Sequence, residues 1–455
     1  MNEILQAVDR IKNARRSILR EKGWKSPSIA DIRRIMVINS SSRSGSSLLY
    51  SLLSRLPGII SLTGEASPFY KLNIRLGRFN PHSSERVATE LLDEVFDFDG
   101  LAEDFISDIY LPQQQTVTAE INAETYICDL ALRFLLQWTD IEADADELQS
   151  LIKSAFTDYA ATNPAFCTEE FYLLMLERLS ARWPQINPFY YDIGTDRVAL
   201  AFPSVEIPTT PPVSSFTIEE PPFILLNPAP HADREALQSS TLLLKSTVDC
   251  YRMNLLDRLF PEAEKRIIHL VRNPAATING IFDGWHHRGF FSHNLGSCFG
   301  NHGHINRLKI KGYSDIYPHG NVWWNFDLPP GWEEYADREL IEVCALQWRS
   351  ANAEILDNLA GSSSSSCTIR FEDIIRSVES RKEQFAAMLN FIGIDPQETV
   401  SLGLESLPIV QSTLPPQLYR WKKRKDLIKR LMDDPQISSM SEKLGYNIAT
   451  MDGWL

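Results

Sequence analysis

Two chain segments carry an arginine just beyond a short apolar run, where a loop between a strand and a helix is expected. In the first, residues 34–49 read RIMVINSSSRSGSSLL, so Arg43 lies among small residues before a predicted helix. The free N–H groups at a helix start can donate to an anion, and arginine adds a planar cation. Gly45 lets the backbone approach such a ligand closely. We predict an oxyanion-binding loop formed by Arg43, Ser44, Gly45, Ser46, Ser47 and Leu48; an ordinary serine-rich turn is the alternative.

This loop differs from the phosphate loop of nucleoside triphosphatases. Those proteins need a lysine directly after the last glycine, followed by a serine or threonine for magnesium. Here Ser46 and Ser47 follow Gly45, and the only cation of the loop, Arg43, precedes it. The loop therefore suits an anion whose charge is handled without that lysine.

The second segment is residues 266–280, RIIHLVRNPAATING, in which Arg272 ends a predicted strand. Pro274 follows at a first-turn position of a helix, where its missing N–H costs nothing. Asn279 and Gly280 come about two helical turns after Arg272. An arginine at a strand end with a polar group two turns later could hold a second anionic group, although Arg272 could instead form a surface ion pair.

Four nearly continuous apolar runs are typical of strands buried on both faces of a parallel sheet: Ile35–Asn39, Thr241–Leu244, Arg266–Val271 and Cys367–Phe371. Helical patterns lie between or after them, which predicts an α/β fold. The predicted helices are an N-terminal one within 1–22, Ser46–Leu56, Cys250–Leu259, Ala275–Phe282, Arg338–Leu359 and Val378–Ile392. We assign 1–75 and 241–455 to one core and 76–240 to a helical, Pro-rich insertion. From Trp183 to Pro230 the prolines predict an extended excursion rather than a regular helix.

Composition excludes several classes of function. The 455 residues carry a formal charge of −14, which argues against general nucleic-acid binding. The six cysteines form no C-x-x-C pair, so neither a zinc ribbon nor a disulfide framework is indicated. The chain has no apolar run of the roughly 18 residues that a spanning helix needs. We expect a soluble, cytoplasmic protein without a membrane span, and the sequence does not indicate its oligomeric state.

Together the two arginine segments resemble the sulfotransferases that use 3′-phosphoadenosine-5′-phosphosulfate (PAPS). The Arg-Ser-Gly-Ser-Ser form of the loop is similar to that of carbohydrate-type and bacterial members, and Arg370-Phe371-Glu372-Asp373 resembles a later strand-end motif. The resemblance covers roughly residues 33–70 and 241–430, outside the insertion. It implies a P-loop-like three-layer core around a central parallel sheet.

The same resemblance implies roles for individual residues. Arg43 and the loop 44–48 would hold the 5′-phosphosulfate, and Arg272 the 3′-phosphate, without a metal. Glu65 would be the base that takes the acceptor proton, and Lys245 a second cation for the sulfuryl group. Trp421 would stack on adenine beside Lys422 and Lys423. Each of these residues also has an alternative role. Glu65 could instead cap a helix, and Lys245 could end a strand in contact with solvent. Residues 419–425 could be the solvated start of a basic helix.

One departure from the family pattern concerns donor binding. Members usually have serine where this chain has Gly280, so Asn279 or a neighbour must replace that hydroxyl. A histidine-rich, Gly-rich segment at 286–319 is predicted to be a mobile loop on the acceptor side. One of its histidines competes with Glu65 as the base, and a metal site there is conceivable. Trp323, Trp324 and Trp332 could wall the acceptor pocket.

The predicted activity is therefore sulfuryl transfer from PAPS to a hydroxyl of a sugar, lipid or natural product, which releases PAP, the 3′,5′-bisphosphate. The first alternative is a small-molecule P-loop kinase. The second is a non-catalytic nucleotide-binding or scaffold protein, which the glycine at position 280 and the large insertion motivate.

Overall fold

The computed structural model describes residues 2–23, 27–62, 64–75, 84–112, 117–138, 141–189, 193–207, 210–211, 225–287, 291–296, 299, 305–410, 412 and 416–455. Within these ranges the strands are β1 Arg34–Asn39, β2 Ile59–Ser61, β3 Thr241–Lys245, β4 Glu264–Val271, β5 His293–Asn294, β6 Trp323–Trp324 and β7 Ser365–Arg370. Five strands form a parallel sheet in the order β2-β3-β1-β4-β7, and β5 pairs with β6 in an antiparallel ladder. The central strand β1 therefore lies between β3 and β4.

Helices cover both faces of the sheet because its central strand is apolar on both sides. Ile35 and Val37 of β1 pack into one hydrophobic core, and Met36 and Ile38 pack into a second core on the other face. The alternating side chains of a strand must point to opposite faces, so each core needs its own covering layer. This arrangement confirms the predicted α/β fold with a central parallel sheet.

The α-helices of the described ranges follow from apolar periodicity and from residues that start each helix. Asn273, for example, accepts a hydrogen bond from the Ala276 N–H at 2.8 Å and so begins the helix that follows β4. The helices are α1 Asn2–Glu21, α2 Ser46–Leu53, α3 Ser67–Leu72, α4 Leu92–Val95, α5 Phe98–Ser107, α6 Ala123–Gln137, α7 Ala145–Thr162, α8 Thr168–Arg182, α9 Thr195–Ala201, α10 Arg234–Ser239, α11 Met253–Leu259, α12 Pro274–Trp285, α13 Leu340–Gly361, α14 Phe371–Ile375, α15 Val378–Ile392, α16 Lys425–Met432 and α17 Pro435–Lys443.

The four predicted strands are confirmed as β1, β3, β4 and β7, with one correction at an end. Phe371, predicted to end the last strand, instead starts α14. The edge strand β2 was not predicted, because a three-residue strand is too short to show a period. The predicted N-terminal helix is α1, and α15 has the predicted bounds.

The insertion has its own hydrophobic core, which is built mainly from α6, α7 and α8. Helix α1 joins this core through Val8 and Ile11, which are both buried. The expected absence of helix from Trp183 to Pro230 is wrong in part, since α9 lies there and its Val198 is fully buried. Much of the Pro-rich run, including Pro212 and the Pro221-Pro222 pair, lies outside the described residues. No helix of the described ranges is both long and apolar enough to cross a membrane.

A buried carboxylate ties together three segments beside the start of α12. Glu372 Oε1 accepts hydrogen bonds from the Asn273 N–H at 2.8 Å and from its Nδ2 at 2.7 Å. Glu372 Oε2 accepts from the Tyr446 hydroxyl at 2.9 Å. Glu372 of α14 therefore fixes the β4–α12 junction, and with it Arg272, against the segment that follows α17.

We predict that Glu372→Ala lowers the free energy of unfolding by about 3 kcal/mol or more. The substitution leaves the Asn273 N–H and the Tyr446 hydroxyl buried without an acceptor, and each such group costs about 1–3 kcal/mol. Urea unfolding measures the change. Asp373→Ala is the matched control, because its ion pair with the exposed Arg376 contributes about 1 kcal/mol at most. Equal losses in the two variants would contradict the role of Glu372.

Candidate functional site

A cavity of about 500 Å³ opens at the carboxyl ends of β1, β3 and β4, beside the first turns of α2 and α12. In open parallel sheets this edge is where ligands bind, because loops and helix N-termini meet there. Four basic side chains line the cavity, and Glu65 carries the only acidic side chain among its described lining residues. The basic residues are Arg43, Lys245, Arg272 and Arg420. This concentration of positive charge is notable in a chain with a formal charge of −14.

The loop after β1 takes a shape that requires its glycine. Gly45 has a φ of 97°, and a Cβ built there would lie 2.2 Å from the Phe371 ring, so no larger residue fits. Ser42, Gly45, Ser46, Ser47 and Leu48 line the cavity. Ser44 is buried, and its hydroxyl is 2.8 Å from the Ser41 hydroxyl; it is not among the lining residues. The loop thus places most of its side chains and the start of α2 at the cavity. Ser44 instead stabilises the loop through its hydrogen bond with Ser41.

Gly280 supports Arg43 rather than lining the cavity. A Cβ built on Gly280 would lie 3.2 Å from the Arg43 Cβ, which is tighter than an ordinary contact. Arg43 itself has a φ of 65°, a conformation that costs a non-glycine residue about 1–3 kcal/mol. The glycine that replaces the expected serine therefore provides the space that this loop conformation of Arg43 occupies.

Backbone strain is concentrated around this cavity. Among the described residues, the non-glycine positions with positive φ are Arg43 at 65°, Phe326 at 61° and Tyr419 at 58°. All three line the cavity, although they come from distant parts of the chain. Strained backbone persists only where the surroundings impose it, and it clusters at functional sites. This pattern supports the cavity as the functional site.

Glu65 and Lys245 meet inside the cavity. The Lys245 ammonium forms an ion pair with Glu65 and donates to the Ser47 hydroxyl at 3.0 Å. Lys245 is buried at the end of β3, whereas the Glu65 side chain is 20% exposed. The predicted base and the predicted second cation are therefore neighbours at the start of α2.

The insertion holds the segment that carries Glu65. Arg133 of α6 donates to the Leu62 carbonyl at 3.2 Å and forms a buried ion pair with Asp108. Arg15 of α1 bridges Asp108 at 3.2 Å and Asp129 at 3.1 Å. A buried ionic network thus connects the helical insertion to the end of β2, three residues before Glu65.

Arg272 packs between the loop that follows β1 and the ring of Phe371. Its Nη1 donates to the Arg43 carbonyl at 3.2 Å, and its guanidinium lies 4.9 Å from the Phe371 ring centroid. Burial lowers the pKa of Arg272, and the nearby Arg420 lowers it further. Its Nε is buried with no partner among the described residues. An anion beside Arg272 would offset these unfavourable contributions.

Asn279 lines the cavity but is already engaged. Its Oδ1 accepts from Arg424, and its Nδ2 donates to Asp283 at 3.3 Å. Asp283 also pairs with Arg420 at 3.1 Å and with Arg424 at 2.8 Å. The Asp283 carboxylate on α12 therefore binds two arginines of the basic segment, and its ion pair with Arg420 holds that side chain at the cavity wall.

The predicted basic segment divides between the cavity and the surface. Trp421 lines the cavity, is 1% exposed and donates from Nε1 to the Trp454 carbonyl at 3.0 Å. Lys422 and Lys423 are exposed and lie outside the lining; Lys422 sits 4.2 Å from the Tyr419 ring centroid. Arg420, one of the five cations around Trp421 that the resemblance assigns to the 3′-phosphate, lines the cavity instead. Its position directly before Trp421 was the only sequence signal.

An apolar wall of the cavity was also missed. Leu407 to Val410 and Pro416 to Leu418 line it, and Ile409 and Leu418 are 71% and 49% exposed. This stretch has no helical or strand period, so its role could not be predicted from pattern. Exposed aliphatic side chains at a cavity rim suit the face of a ring system.

A small polar cavity of about 20 Å³ adjoins the first and shares Glu65, Thr247 and Phe326 with it. Glu85 lies there between Arg252 and His293, whose Nε2 is 3.1 Å from Glu85 Oε1. Although burial alone would raise it, these two neighbours lower the pKa of Glu85 to about 2. Among the described histidines of 286–319, His293 is thus the one that shares this small cavity with Glu65.

The structure describes only part of the remaining histidine- and tryptophan-rich segment. His302, His304 and Cys298 lie outside the described residues, as do the other positions within 288–290, 297–298 and 300–304 of the predicted mobile loop. Elsewhere in the described chain, no group of three or more His, Cys, Asp or Glu side chains could hold a metal ion. Trp324 and Trp332 are fully buried in a hydrophobic core, and Trp323 is 4% exposed, so these rings are core residues rather than pocket walls.

No protein-family model and no curated protein sequence matches this chain.

We predict that Asp327, which lines the small cavity, makes stability fall as the pH rises from about 4 to about 7. Asp327 accepts from the Ser42 hydroxyl at 3.0 Å and from the Tyr251 hydroxyl at 2.8 Å, yet burial raises its pKa to about 7. An unfolded aspartate has a pKa of about 3.9, so between these values the folded state holds a proton that the unfolded state has lost. Each pH unit then costs up to about 1.4 kcal/mol.

Asp327→Asn should remove this contribution to the slope of the unfolding free energy against pH. Urea unfolding at several pH values measures that slope. The exposed Asp337→Asn is the control and should keep the wild-type slope. A slope for Asp327→Asn that equals the wild-type slope would contradict the prediction.

Proposed function

We propose that this protein is a sulfotransferase that moves the sulfuryl group of PAPS to an acceptor hydroxyl and releases PAP. The observation that carries the proposal is a single cavity with four basic residues, one acidic side chain, the start of α2 and an apolar wall. Such a lining suits a donor that combines several anionic groups with a flat ring system. The strand order supports a P-loop-like core, and Ser46 in place of the lysine favours this donor over magnesium-bound ATP.

Each side chain then has a role in donor binding. Arg43, Ser46 and Ser47, with the free N–H groups of α2, would hold the 5′-phosphosulfate. Arg272 and Arg420 would hold the 3′-phosphate. Trp421 and the apolar wall at 407–410 and 416–418 would contact the adenine ring.

The transfer step needs alignment and charge neutralisation more than covalent help. The acceptor oxygen forms a bond to sulfur while the bond between sulfur and the bridging oxygen breaks, and the electron pair leaves with the 5′-phosphate. The acceptor proton goes to the Glu65 carboxylate. Arg43 and Lys245 would stabilise the negative charge that grows on the leaving phosphate. For this, Lys245 must turn from Glu65 toward the donor, which frees the carboxylate to accept a proton.

The acceptor itself is a hydroxyl compound, which we leave as a sugar, a lipid or a natural product. The acceptor hydroxyl would lie beside Glu65, where the adjoining small cavity has room for about one water-sized group. The polar residues of that cavity, Glu85, Arg252 and His293, would then lie close to the reacting hydroxyl.

Donor class is tested by thermal unfolding with PAP, with ATP and magnesium, and with buffer. PAP should raise the midpoint, because a ligand at 100 times its Kd adds about 2.7 kcal/mol to stability. Arg43→Ala and Arg420→Ala should reduce the PAP effect strongly. Lys423→Ala is the matched control, since Lys423 contacts the same Asp283 as Arg420 but lies outside the cavity lining. Stabilisation by ATP with magnesium but not by PAP would overturn the proposal and favour a kinase.

We predict that Glu65→Gln keeps PAP binding and lowers turnover about 10²–10⁴-fold, the range typical of a lost general base. Transfer from labelled PAPS to a hydroxyl-acceptor panel, with the wild-type protein as reference, measures turnover. The exposed Glu262→Gln should behave like wild type. If Glu65→Gln retained turnover while His293→Gln lost it, the base would be His293 rather than Glu65.

A further inference from the structure

A second cavity, of about 700 Å³, lies in the insertion between α1, α6 and residues 228–233. It shares no described lining residue with the cavity at Arg43. Its size is within the range of about 300–1,000 Å³ that is usual for small-molecule sites. Nothing in the proposed sulfuryl transfer uses it.

The cavity has a buried polar floor. Four lining residues with low exposure form it: Thr125, Tyr126, Asp129 and His231. The Tyr126 hydroxyl donates to the Leu226 carbonyl at 2.6 Å, and Thr125 Oγ1 accepts from Asn122 at 2.7 Å. These two side chains have hydrogen-bond partners, whereas His231 has a ring nitrogen without one among the described residues.

His231 has one ring nitrogen that no described residue satisfies. Its Nε2 is 3.0 Å from Asp129 Oδ2, whereas its Nδ1 is buried with no hydrogen-bond partner among the described residues. The side chain is 2% exposed and its ring lies 4.5 Å from the Tyr110 ring. A buried polar atom without a partner costs about 1–3 kcal/mol, and a bound ligand would remove that cost.

The ionic network beside His231 is balanced without it. Arg15 and Arg133 balance Asp108 and Asp129, which leaves the four groups neutral together. An imidazole Nδ1 accepts a hydrogen bond when the ring hydrogen is on Nε2 alone, and donates one when it carries a hydrogen itself. A ligand hydroxyl can donate or accept, so it would satisfy this nitrogen.

The rim favours the same kind of ligand. Two carboxylates, Glu120 and Asp233, and one ammonium, Lys22, line the exposed edge. Lys22 already donates to Asn122 Oδ1 at 2.6 Å. An added anion would meet a net negative rim, whereas hydroxyl and ammonium groups would find acceptors.

We propose that this cavity is a second ligand site, for a neutral or cationic small molecule that bears hydroxyl or amine donors. The site stands apart from the proposed function and would exist whatever reaction occurs at Arg43. Through Arg15, Asp108 and Arg133 it is connected to the Leu62 carbonyl near Glu65.

Glucose and two derivatives test the ligand class: glucosamine, with an amine in place of one hydroxyl, and glucuronate, with a carboxylate in place of the hydroxymethyl group. Calorimetric titration of the full chain, with PAP present to occupy the first cavity, should give saturable binding of glucosamine, weaker binding of glucose and the weakest of glucuronate. His231→Phe keeps the aromatic ring but removes both nitrogens, and should weaken glucosamine binding about tenfold or more. Ala229→Trp fills the cavity while leaving the polar floor intact, and should abolish binding.

His319→Phe is the control, because that histidine lies far along the chain and does not line the cavity; it should bind glucosamine like wild type. Absence of saturable binding by all three sugars would overturn the site. So would equal glucosamine binding by wild type, His231→Phe and Ala229→Trp. Tightest binding of glucuronate would overturn the proposed ligand chemistry. If His231→Phe failed to fold, the Ala229→Trp comparison would still decide the question.

Discussion

The fold of this protein must keep four basic side chains close together around one cavity, although like charges repel each other. Burial lowers the pKa of Arg272, and the nearby Arg420 lowers it further, so gathering these cations is unfavourable unless carboxylates hold them in place. Glu65 pairs with Lys245, and Asp283 pairs with Arg420. These carboxylates sit on separate elements, α12 and the segment after β2, so the charge constraint helps fix how the elements meet. A bound polyanion would take over part of this task.

The sequence predicts the parts of the site that have a regular local signal. Strands buried on both faces are continuous apolar runs, and a glycine-containing turn with arginine follows the first of them, so local pattern alone predicts the places of Arg43 and Arg272. The edge strand β2 and the apolar wall at 407–410 and 416–418 have no such signal, because short or irregular segments gain their structure from tertiary contacts. Lys422 and Lys423 show the limit of composition. Both face the solvent while Arg420 lines the cavity, although Asp283 contacts Arg420 and Lys423 alike, so only the three-dimensional structure tells which of these cations faces inward.

The insertion is more than a cover for the core. Helices α1 and α6 meet across a buried network of two arginines and two aspartates, and this network ends on the Leu62 carbonyl. Breaking a buried ion pair by removing one partner typically costs about 3–5 kcal/mol. The position of the segment that carries Glu65 is therefore fixed from both sides, by Lys245 in the core and by Arg133 in the insertion.

The contact between Gly280 and Arg43 has a consequence for substitution at either position. The side chain allowed at position 280 depends on the backbone conformation at position 43, since a Cβ at 280 would press on Arg43 at 3.2 Å. A substitution that adds a side chain at 280 must be accompanied by a small shift of the loop, or it would press on Arg43. The two positions are thus coupled by packing, so that a change of conformation at position 43 alters which side chains position 280 can accept.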